Sequence, residues 1–340
     1  MRGVTIGYQS VDVRDFPVPR PGPGEVVIDV RAAAICRADL SLYHGRSVFG
    51  AEPDPTTIAG HEPCGVVREV GAGVTGLAPG DRVAGYLAVS CGRCRYCRQG
   101  WKMLCDHWQC LGFDRNGADA DHLLLPAENC LPIPDEFSFV TGALSTDAIG
   151  TLYQAQHALE VNGTDTVAII GVGPMGGGGV LVAKGRGARV IAVDLLDERL
   201  QQSLELGADH TVNAARDDAL EAIRELTGGS GVSVAIDCSG SPQGQNLALD
   251  AAAKLGRVAL VGASEQTEIR PKQQLTRKQL QVRGSWHFNV SLYEEIVDFI
   301  LERKLAVDAL VSDRYALEDA KEAIERFDRR ETAGKVVFVP

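Results

Sequence analysis

Four cysteines lie close together in the sequence, in the spacing C-x2-C-x2-C-x7-C. They are Cys91, Cys94, Cys97 and Cys105. Four thiolates are the donor set of a closed, structural zinc site, which keeps no open coordination position. An iron–sulfur cluster is the alternative, because C-x2-C-x2-C also occurs in ferredoxins. No proline follows the fourth cysteine and the chain has no second set, so the spacing favours zinc, with Cys110 as a bystander.

A glycine-rich segment that fits G-x-G-x-x-G directly follows the apolar strand candidate TVAII and opens a helix. Its residues are Gly171, Val172, Gly173, Pro174, Met175 and Gly176. Glycines at these positions allow a tight turn and let backbone N–H groups approach a pyrophosphate at the helix N-terminus. The motif alone is weak, since glycine-rich turns also occur in α/β folds that bind no nucleotide. The flanking strand and helix favour a dinucleotide site.

Asp194 closes the next strand candidate after the glycine-rich segment. A carboxylate there can accept hydrogen bonds from both ribose hydroxyls and would repel a 2′-phosphate, so we expect NAD rather than NADP. Arg199 lies within reach of the same region and is a further cofactor-binding candidate.

Three isolated residues are ambiguous when taken singly. Cys36 lies in AAAICRADL, His61 in GHE and Asp147 in LSTDAIG. A lone cysteine is more often a small buried hydrophobe than a metal ligand. The residue types alone therefore leave these positions open.

Two regions of the chain differ in their sequence pattern, and these patterns indicate which secondary-structure elements position these residues. Residues 1–135 contain short β-rich segments separated by turns, which is typical of a partly barrel-like β domain. From Ser138 a mostly apolar helical stretch is followed by alternating strand and helix patterns, which predict βαβ units and a parallel sheet. The strand ends at Cys238–Gly240 and Val261–Ala263 are expected to line the cofactor, with Cys238, Val261, Gly262 and Ala263 as binding residues.

Composition narrows the class of protein further. The chain has 340 residues, of which 45% are hydrophobic, and a formal net charge of −11. This length predicts about two domains, and the acidity argues against a nucleic-acid or anionic-membrane partner. No apolar run reaches the ~18–20 residues of a transmembrane helix, and Met1–Asp15 lacks a secretory apolar region. These observations predict a cytoplasmic protein whose clustered cysteines bind metal.

Together these motifs resemble the zinc-dependent medium-chain dehydrogenase/reductase superfamily of alcohol, polyol and threonine dehydrogenases. The resemblance spans essentially the whole chain, and the motifs occur in the same order as in the family. It depends on Cys36 and Asp39 in CRAD, GHE at 60–62, the cysteine lobe, GVGPMG with Asp194, and the closing AGKVVF. It implies an α/β fold with a Rossmann cofactor domain at 151–285 and a β-rich GroES-like catalytic domain at 1–150 plus 286–340. The structural zinc lobe would span about residues 88–112.

The resemblance also implies a second, catalytic zinc. Cys36 and His61 would be ligands, Asp147 occupies the position of the third, and Glu62 is a nearby carboxylate that can swing onto the metal. This donor set leaves a position for water or substrate. Asp39 would orient His61 through its other ring nitrogen.

The proton relay departs from the family pattern. A Ser or Thr normally stands two residues after the first ligand, where this chain has Ala38, and the family's frequent histidine is replaced by Ser41. The candidates for a replacement relay are Glu62, His44, Ser41 and bound water.

We therefore expect an NAD-linked dehydrogenase with two zinc ions per chain, assembled as a homotetramer or dimer. The predicted reaction is reversible oxidation of a secondary alcohol, such as a polyol, sugar or cyclitol, to a ketone. Aromatic and polar side chains suit a hydroxylated substrate. Those expected near it are Tyr43, His44, His107, Trp108, Phe113, Asp114 and Trp286. Alternatives are a dehydrogenase of another alcohol class, an NADPH-linked enone or quinone reductase, a non-catalytic cofactor-binding protein, and a zinc-ribbon interaction module.

Overall fold

The computed structural model describes residues 1–47 and 54–340. The described strands are β1 Arg2–Gly7, β2 Ser10–Asp15, β3 Glu25–Ala34, β4 Glu62–Val70, β5 Arg82–Gly85, β6 Ala88–Val89, β7 Gln109–Cys110, β8 His122–Pro126, β9 Cys130–Pro132, β10 Thr166–Ile170, β11 Arg189–Asp194, β12 His210–Asn213, β13 Val232–Asp237, β14 Ala252–Leu260, β15 Gln281–Gly284, β16 Val311–Tyr315 and β17 Lys335–Phe338. The described α-helices are α1 Asp39–Tyr43, α2 Phe139–Leu144, α3 Gly150–Ala158, α4 Pro174–Gly185, α5 Asp197–Glu205, α6 Ala219–Leu226, α7 Pro242–Ala251, α8 Tyr293–Arg303 and α9 Ala320–Asp328. None of these helices is long and apolar enough to cross a membrane.

The chain divides into two compact units. The first comprises Met1–Asp147, Asn289–Val297 and Val311–Pro340. The second comprises Ala148–Phe288 and Asp298–Leu310. The boundaries expected from the sequence, 1–150 plus 286–340 and 151–285, stay a prediction.

The second unit is built on a six-stranded parallel sheet in the order β12-β11-β10-β13-β14-β15. Numbered from its first strand, this is the 3-2-1-4-5-6 order of a doubly wound dinucleotide-binding fold. Its central strands are buried on both faces, which explains their continuous apolar sequences such as TVAII. The predicted Rossmann class is confirmed. In such a sheet ligands bind where the strand order reverses, here between β10 and β13.

The first unit contains a seven-stranded sheet in the order β16-β17-β3-β4-β5-β9, with β8 also paired to β3. The long strand β3 runs antiparallel to β4, β8 and β17. Hairpin β1–β2 and the small β6–β7 ribbon add to this unit. The β-rich character expected of residues 1–135 is confirmed.

The apolar helical stretch after Ser138 is interrupted in the structure. Helix α2 begins with the Ser138 hydroxyl accepting the amide of Thr141 at 2.9 Å. A π-helical turn, Ser145–Ile149, then separates α2 from α3. The Ser145 and Thr146 hydroxyls donate back to the carbonyls of Gly142 and Ala143, at 2.7 and 2.9 Å. Such turns occur frequently at functional sites, and this one carries Asp147.

Candidate functional site

One cluster of potential metal ligands lies in the first unit. One donor atom from each of Cys36, His61, Glu62 and Asp147 can be chosen so that all four lie within 4.8 Å of one another. His61, Glu62 and Asp147 are buried, and Cys36 is partly exposed. The structure therefore brings together the four residues that the family resemblance implied for the catalytic zinc; we call them the metal quartet.

Strand register explains how distant parts of the chain meet there. Cys36 follows the end of β3, and Ala34 in β3 pairs with Glu62 at the start of β4. On the other side, the Ile35 amide donates to the carbonyl of Val336 in β17 at 2.9 Å. The ends of three strands thus converge. Asp147 joins them from the π-helical turn.

Asp39 connects two members of the quartet. Its Oδ1 lies 3.1 Å from Nδ1 of His61, and its Oδ2 accepts the Cys36 amide at 2.8 Å. Because Nδ1 is engaged, Nε2 remains the nitrogen available to a metal. Burial lowers the pKa of His61, but the Asp39 carboxylate and the Cys36 thiol outweigh that effect, and the net pKa is raised.

Lys335 is a site residue that the sequence reasoning missed. It is completely buried at the start of β17, where its Nζ forms an ion pair with Glu62 Oε1 and lies 3.5 Å from Asp147 Oδ2. Burial lowers the pKa of Lys335, but the two carboxylates outweigh it and raise the net pKa, so the lysine stays cationic. The available signal was a single lysine leading the apolar strand KVVFV, because buried lysines are rare unless paired.

The donor set fits a zinc ion. A thiolate, an imidazole and a carboxylate are all zinc ligands, and three protein ligands leave a position for substrate. Glu62 Oε2 is buried and, within the described part of the chain, has no hydrogen-bond partner. An unsatisfied buried carboxylate oxygen is costly and is accounted for by a cation or water beside it.

The second cluster consists of the four lobe cysteines, whose sulfurs can also all lie within 4.8 Å of one another. The Sγ of Cys97 lies 3.4 Å from that of Cys94 and 3.9 Å from that of Cys91. Tetrahedral zinc–sulfur bonds of ~2.3 Å would place neighbouring sulfurs about 3.8 Å apart, so the lobe fits zinc. Backbone hydrogen bonds from Arg93 and Cys94 lower the pKa of Cys91 to about 6. Cys110 is buried in β7 and is not part of this cluster.

Hydrogen bonds fix the lobe to the rest of the first unit. Lys102 Nζ donates to the Glu128 carbonyl at 3.1 Å, and Asn289 Nδ2 donates to the Gln99 carbonyl at 2.7 Å. An anchored lobe whose four cysteines leave no open ligand position suits a structural role.

In the second unit, the glycine-rich segment lies at the point where the sheet order reverses. Gly171 has a φ of +83°, and a Cβ there would lie 2.8 Å from the backbone of Ser239 after β13. A Cβ on Gly176 would lie 2.0 Å from the Gly171 carbonyl oxygen. Only glycine fits at these two places, because side chains would collide with backbone.

Asp194 closes β11 beside this loop. Its Oδ2 accepts the Val172 amide at 2.9 Å, and its Oδ1 accepts the Leu195 amide at 2.7 Å. Arg199 Nη1 lies 3.9 Å from Asp194 Oδ2, and Gly173 faces the same guanidinium. The predicted cofactor residues are thus adjacent, with the carboxylate held in one orientation.

The other predicted cofactor segments meet around Asp237 at the end of β13. The amides of Val261 and Gly262 donate to the Asp237 carbonyl at 2.9 and 3.0 Å. Gly262 packs against Gly240, and Cys238 donates its amide to the Ile170 carbonyl at 2.8 Å. Cys238 and Ser239 therefore border the glycine-rich segment, whereas Val261, Gly262 and Ala263 lie against Asp237 and Gly240.

The structure places only some of the candidates for the proton relay in the metal quartet. Glu62 lies in the metal quartet, whereas His44 does not: its Nε2 lies 2.7 Å from Asp328 Oδ1, and about a third of its side chain (36%) is exposed. Among the residues expected near substrate, Phe113 is buried with its ring 5.4 Å from that of His61. Trp286 belongs to the second unit. A relay through His44 stays a prediction.

Comparison with known proteins agrees with this arrangement. Residues 22–135 match the alcohol dehydrogenase GroES-like domain, and residues 174–302 match the zinc-binding dehydrogenase domain. The chain is 36% identical to a zinc-type alcohol dehydrogenase-like protein of Escherichia coli (strain K12), over 93% of this chain and 92% of that protein.

Two further relatives are similar over nearly their whole length. An L-threonine 3-dehydrogenase of Pyrococcus horikoshii is 32% identical, over 98% of this chain and 96% of that protein. A sorbitol dehydrogenase of Halalkalibacterium halodurans is 31% identical, over 96% and 95%. The crystal structure of an NAD-dependent alcohol dehydrogenase superposes with a TM-score of 0.90 at 34% identity, covering both chains completely. The chain therefore belongs to the zinc-dependent medium-chain dehydrogenase superfamily, as an oxidoreductase of the zinc alcohol dehydrogenase type that uses a nicotinamide cofactor.

Proposed function

We propose that this enzyme oxidises a secondary alcohol on a polyhydroxylated or cyclic substrate to a ketone, with NAD⁺ as the acceptor. The substrate loses a hydride to the nicotinamide and a proton to the relay, giving ketone, NADH and H⁺. The observation that carries the proposal is the metal quartet with its thiolate, imidazole and two carboxylates. Its residues can hold a Lewis-acidic metal ion. Three of them suffice as ligands, so one coordination position can remain open for the substrate.

In this proposal Cys36, His61 and Asp147 hold the catalytic zinc. Zinc would act as a Lewis acid there and lower the pKa of a bound substrate hydroxyl towards neutrality. Asp39 fixes the ring of His61 and the backbone at Cys36, so two ligands are aligned by one carboxylate. Ala38 carries no hydroxyl, so the substrate proton must leave through another group, for which Glu62, His44, Ser41 and water are the candidates.

The cofactor choice is attributed to Asp194. Its carboxylate is oriented by the Val172 and Leu195 amides, and an acidic residue at the end of the second strand of this fold is the one that hydrogen-bonds the ribose of NAD. A negative charge there disfavours a 2′-phosphate, which supports NAD over NADP. Arg199 beside it contributes one positive charge, already opposed by Asp194.

The second zinc of the proposed pair belongs to the cysteine lobe, where its role is structural. Homo-oligomer formation is also proposed. It is supported by β15, whose residues are exposed and which, among the described strands, is the last of the parallel sheet, so that a second copy could extend the sheet there.

The substrate class is supported by the names of the relatives. L-Threonine and sorbitol both carry a secondary hydroxyl beside other polar groups. A site built to hydrogen-bond such groups rejects analogues that lack them by up to ~10⁴–10⁵ in kcat/KM, because its own polar atoms are then unpaired.

The test is a substrate panel with purified enzyme, following cofactor reduction by absorbance. Polyols, cyclitols, sugars, amino alcohols and short primary alcohols are compared, each with NAD⁺ and with NADP⁺. We expect the highest kcat/KM for a polyol, sugar or cyclitol with NAD⁺. A short primary alcohol that exceeds every polyol would overturn the substrate class. If an amino alcohol is the best substrate, amino alcohols replace polyols, sugars and cyclitols as the substrate class.

Metal analysis separates the enzyme from its alternatives. Wild-type protein should contain close to two zinc ions per chain, and Asp147→Asn should retain only the lobe zinc. Cys130→Ser is the matched control, since Cys130 is a buried thiol outside both clusters. An active protein without zinc, using NADPH on enones or quinones, would favour the reductase alternative.

A further inference from the structure

Lys335 supplies a full positive charge inside the metal quartet. Its side chain has no exposed surface, and its Nζ contacts Glu62 Oε1 while lying 3.5 Å from Asp147 Oδ2. Lysine is rarely buried without an anionic partner, because transferring its charge out of water costs several kcal/mol of free energy. Here the two carboxylates that it meets belong to the same quartet.

Lys335 changes the charge balance of the metal quartet. A divalent metal with the Cys36 thiolate and the Asp147 carboxylate is electrically neutral. The Glu62 carboxylate would then be an uncompensated charge, buried beside a cation that it is able to bind. Lys335 is the group that balances it.

We propose that Lys335 is a positioning residue that competes with the metal for Glu62. By holding Oε1, it keeps this carboxylate from becoming a permanent fourth protein ligand. Four permanent protein ligands would make the quartet a closed site like the cysteine lobe, whereas a catalytic zinc keeps one position open. This inference rests on the proposed function, because it assumes that the quartet holds zinc.

Removal of Lys335 should have two opposite effects, tighter metal binding and slower turnover, which loss of a merely structural ion pair would not produce. Without Lys335, Glu62 loses its partner and binds the metal instead. The metal is then held more tightly while turnover falls. A lysine that only stabilises packing would, when removed, loosen the site and release the metal faster.

The experiment is a double-mutant cycle of Lys335→Met, Glu62→Gln and the two combined, with Lys335→Arg as the charge-retaining variant. Zinc release to a chromophoric chelator is followed in time, together with the Tm of the metal-free protein and kcat and KM. The release phase of the quartet is identified by its absence in Asp147→Asn. Methionine keeps the length of lysine and removes its charge.

For Lys335→Met we expect zinc release from the quartet to slow by about tenfold or more and kcat to fall by a similar factor. The metal-free protein should lose roughly 5–10 °C in Tm, because a buried carboxylate is left unpaired. The double variant should recover release rate and kcat towards those of Glu62→Gln alone, and Lys335→Arg should resemble the wild type.

Faster or unchanged zinc release in Lys335→Met, or no recovery in the double variant, overturns the inference. If Lys335→Met does not fold, a folded double variant supports charge compensation, and an unfolded one overturns it. If the wild type holds zinc only in the cysteine lobe, the proposed function fails instead, so the two failures are distinguishable.

Discussion

The carboxylate of Asp39 bridges two residues of the metal quartet, accepting the amide of Cys36 at 2.8 Å and lying 3.1 Å from Nδ1 of His61. One buried group thus sets the ring orientation of one ligand and the backbone of another. An asparagine at this position would keep the shape but lose the negative charge and one of the two acceptor oxygens.

Asp39→Asn should therefore lower the zinc affinity of the quartet by about 10–100-fold, with a parallel loss of kcat. The measurement is zinc content after dialysis against graded chelator, with activity recorded at saturating zinc. His44→Gln is the control for zinc content alone, since His44 pairs with Asp328 outside the quartet but is a relay candidate whose loss can lower kcat. Equal zinc retention in Asp39→Asn and wild type would show that Asp39 does not support His61.

Asp194→Asn tests the origin of cofactor choice. The asparagine oxygen can still accept one of the two backbone amides that Asp194 binds, while the other amide loses its acceptor and the charge that opposes a 2′-phosphate is lost. We expect the ratio of kcat/KM for NADP⁺ to that for NAD⁺ to rise at least tenfold. Asp194→Ala should relax discrimination as well and also weaken NAD⁺ use. Unchanged selectivity in both variants would assign the discrimination to another residue.

Two glycines of α4 provide a matched test of the cofactor loop. A Cβ on Gly176 would lie 2.0 Å from the Gly171 carbonyl oxygen, whereas one on Gly179 would first meet the Leu152 side chain at 3.2 Å. Gly176→Ala should raise the KM for NAD⁺ by tenfold or more, because the loop must move. Gly179→Ala should leave the KM nearly unchanged, since a leucine side chain can give way and alanine favours a helix by ~1 kcal/mol. Similar KM values for the two variants would show that loop shape does not control binding.

Cys94→Ser tests the structural role of the lobe. Zinc bound to four thiolates contributes folding free energy directly, so the variant should contain one zinc fewer and melt at a lower temperature. Folded molecules should keep most of their kcat per quartet zinc. Cys130→Ser should retain both metals. A loss of turnover without any change in Tm would contradict the structural assignment.

The sequence alone determined the features whose residues lie close together along the chain. The cysteine lobe and the glycine-rich segment could be predicted because few residues separate their members, so the local turn fixes their geometry. The alternation of strands and helices likewise determined the parallel sheet, since buried parallel strands carry continuous apolar runs. Asp194 was identifiable because the end of the second strand lies beside the first loop in this topology.

The metal quartet was decided by tertiary structure. Cys36, Glu62 and Lys335 meet only because β3 pairs in one register with β4 and lies beside β17, and a shift of one residue would turn their side chains to the other face. Asp147 reaches them from a π-helical turn that the helical pattern after Ser138 did not reveal. Family resemblance anticipated the ligands, whereas the only local signal for Lys335 was a charged residue at the start of the apolar strand KVVFV. A single lysine in an apolar strand has meaning only once the carboxylates that surround it are known.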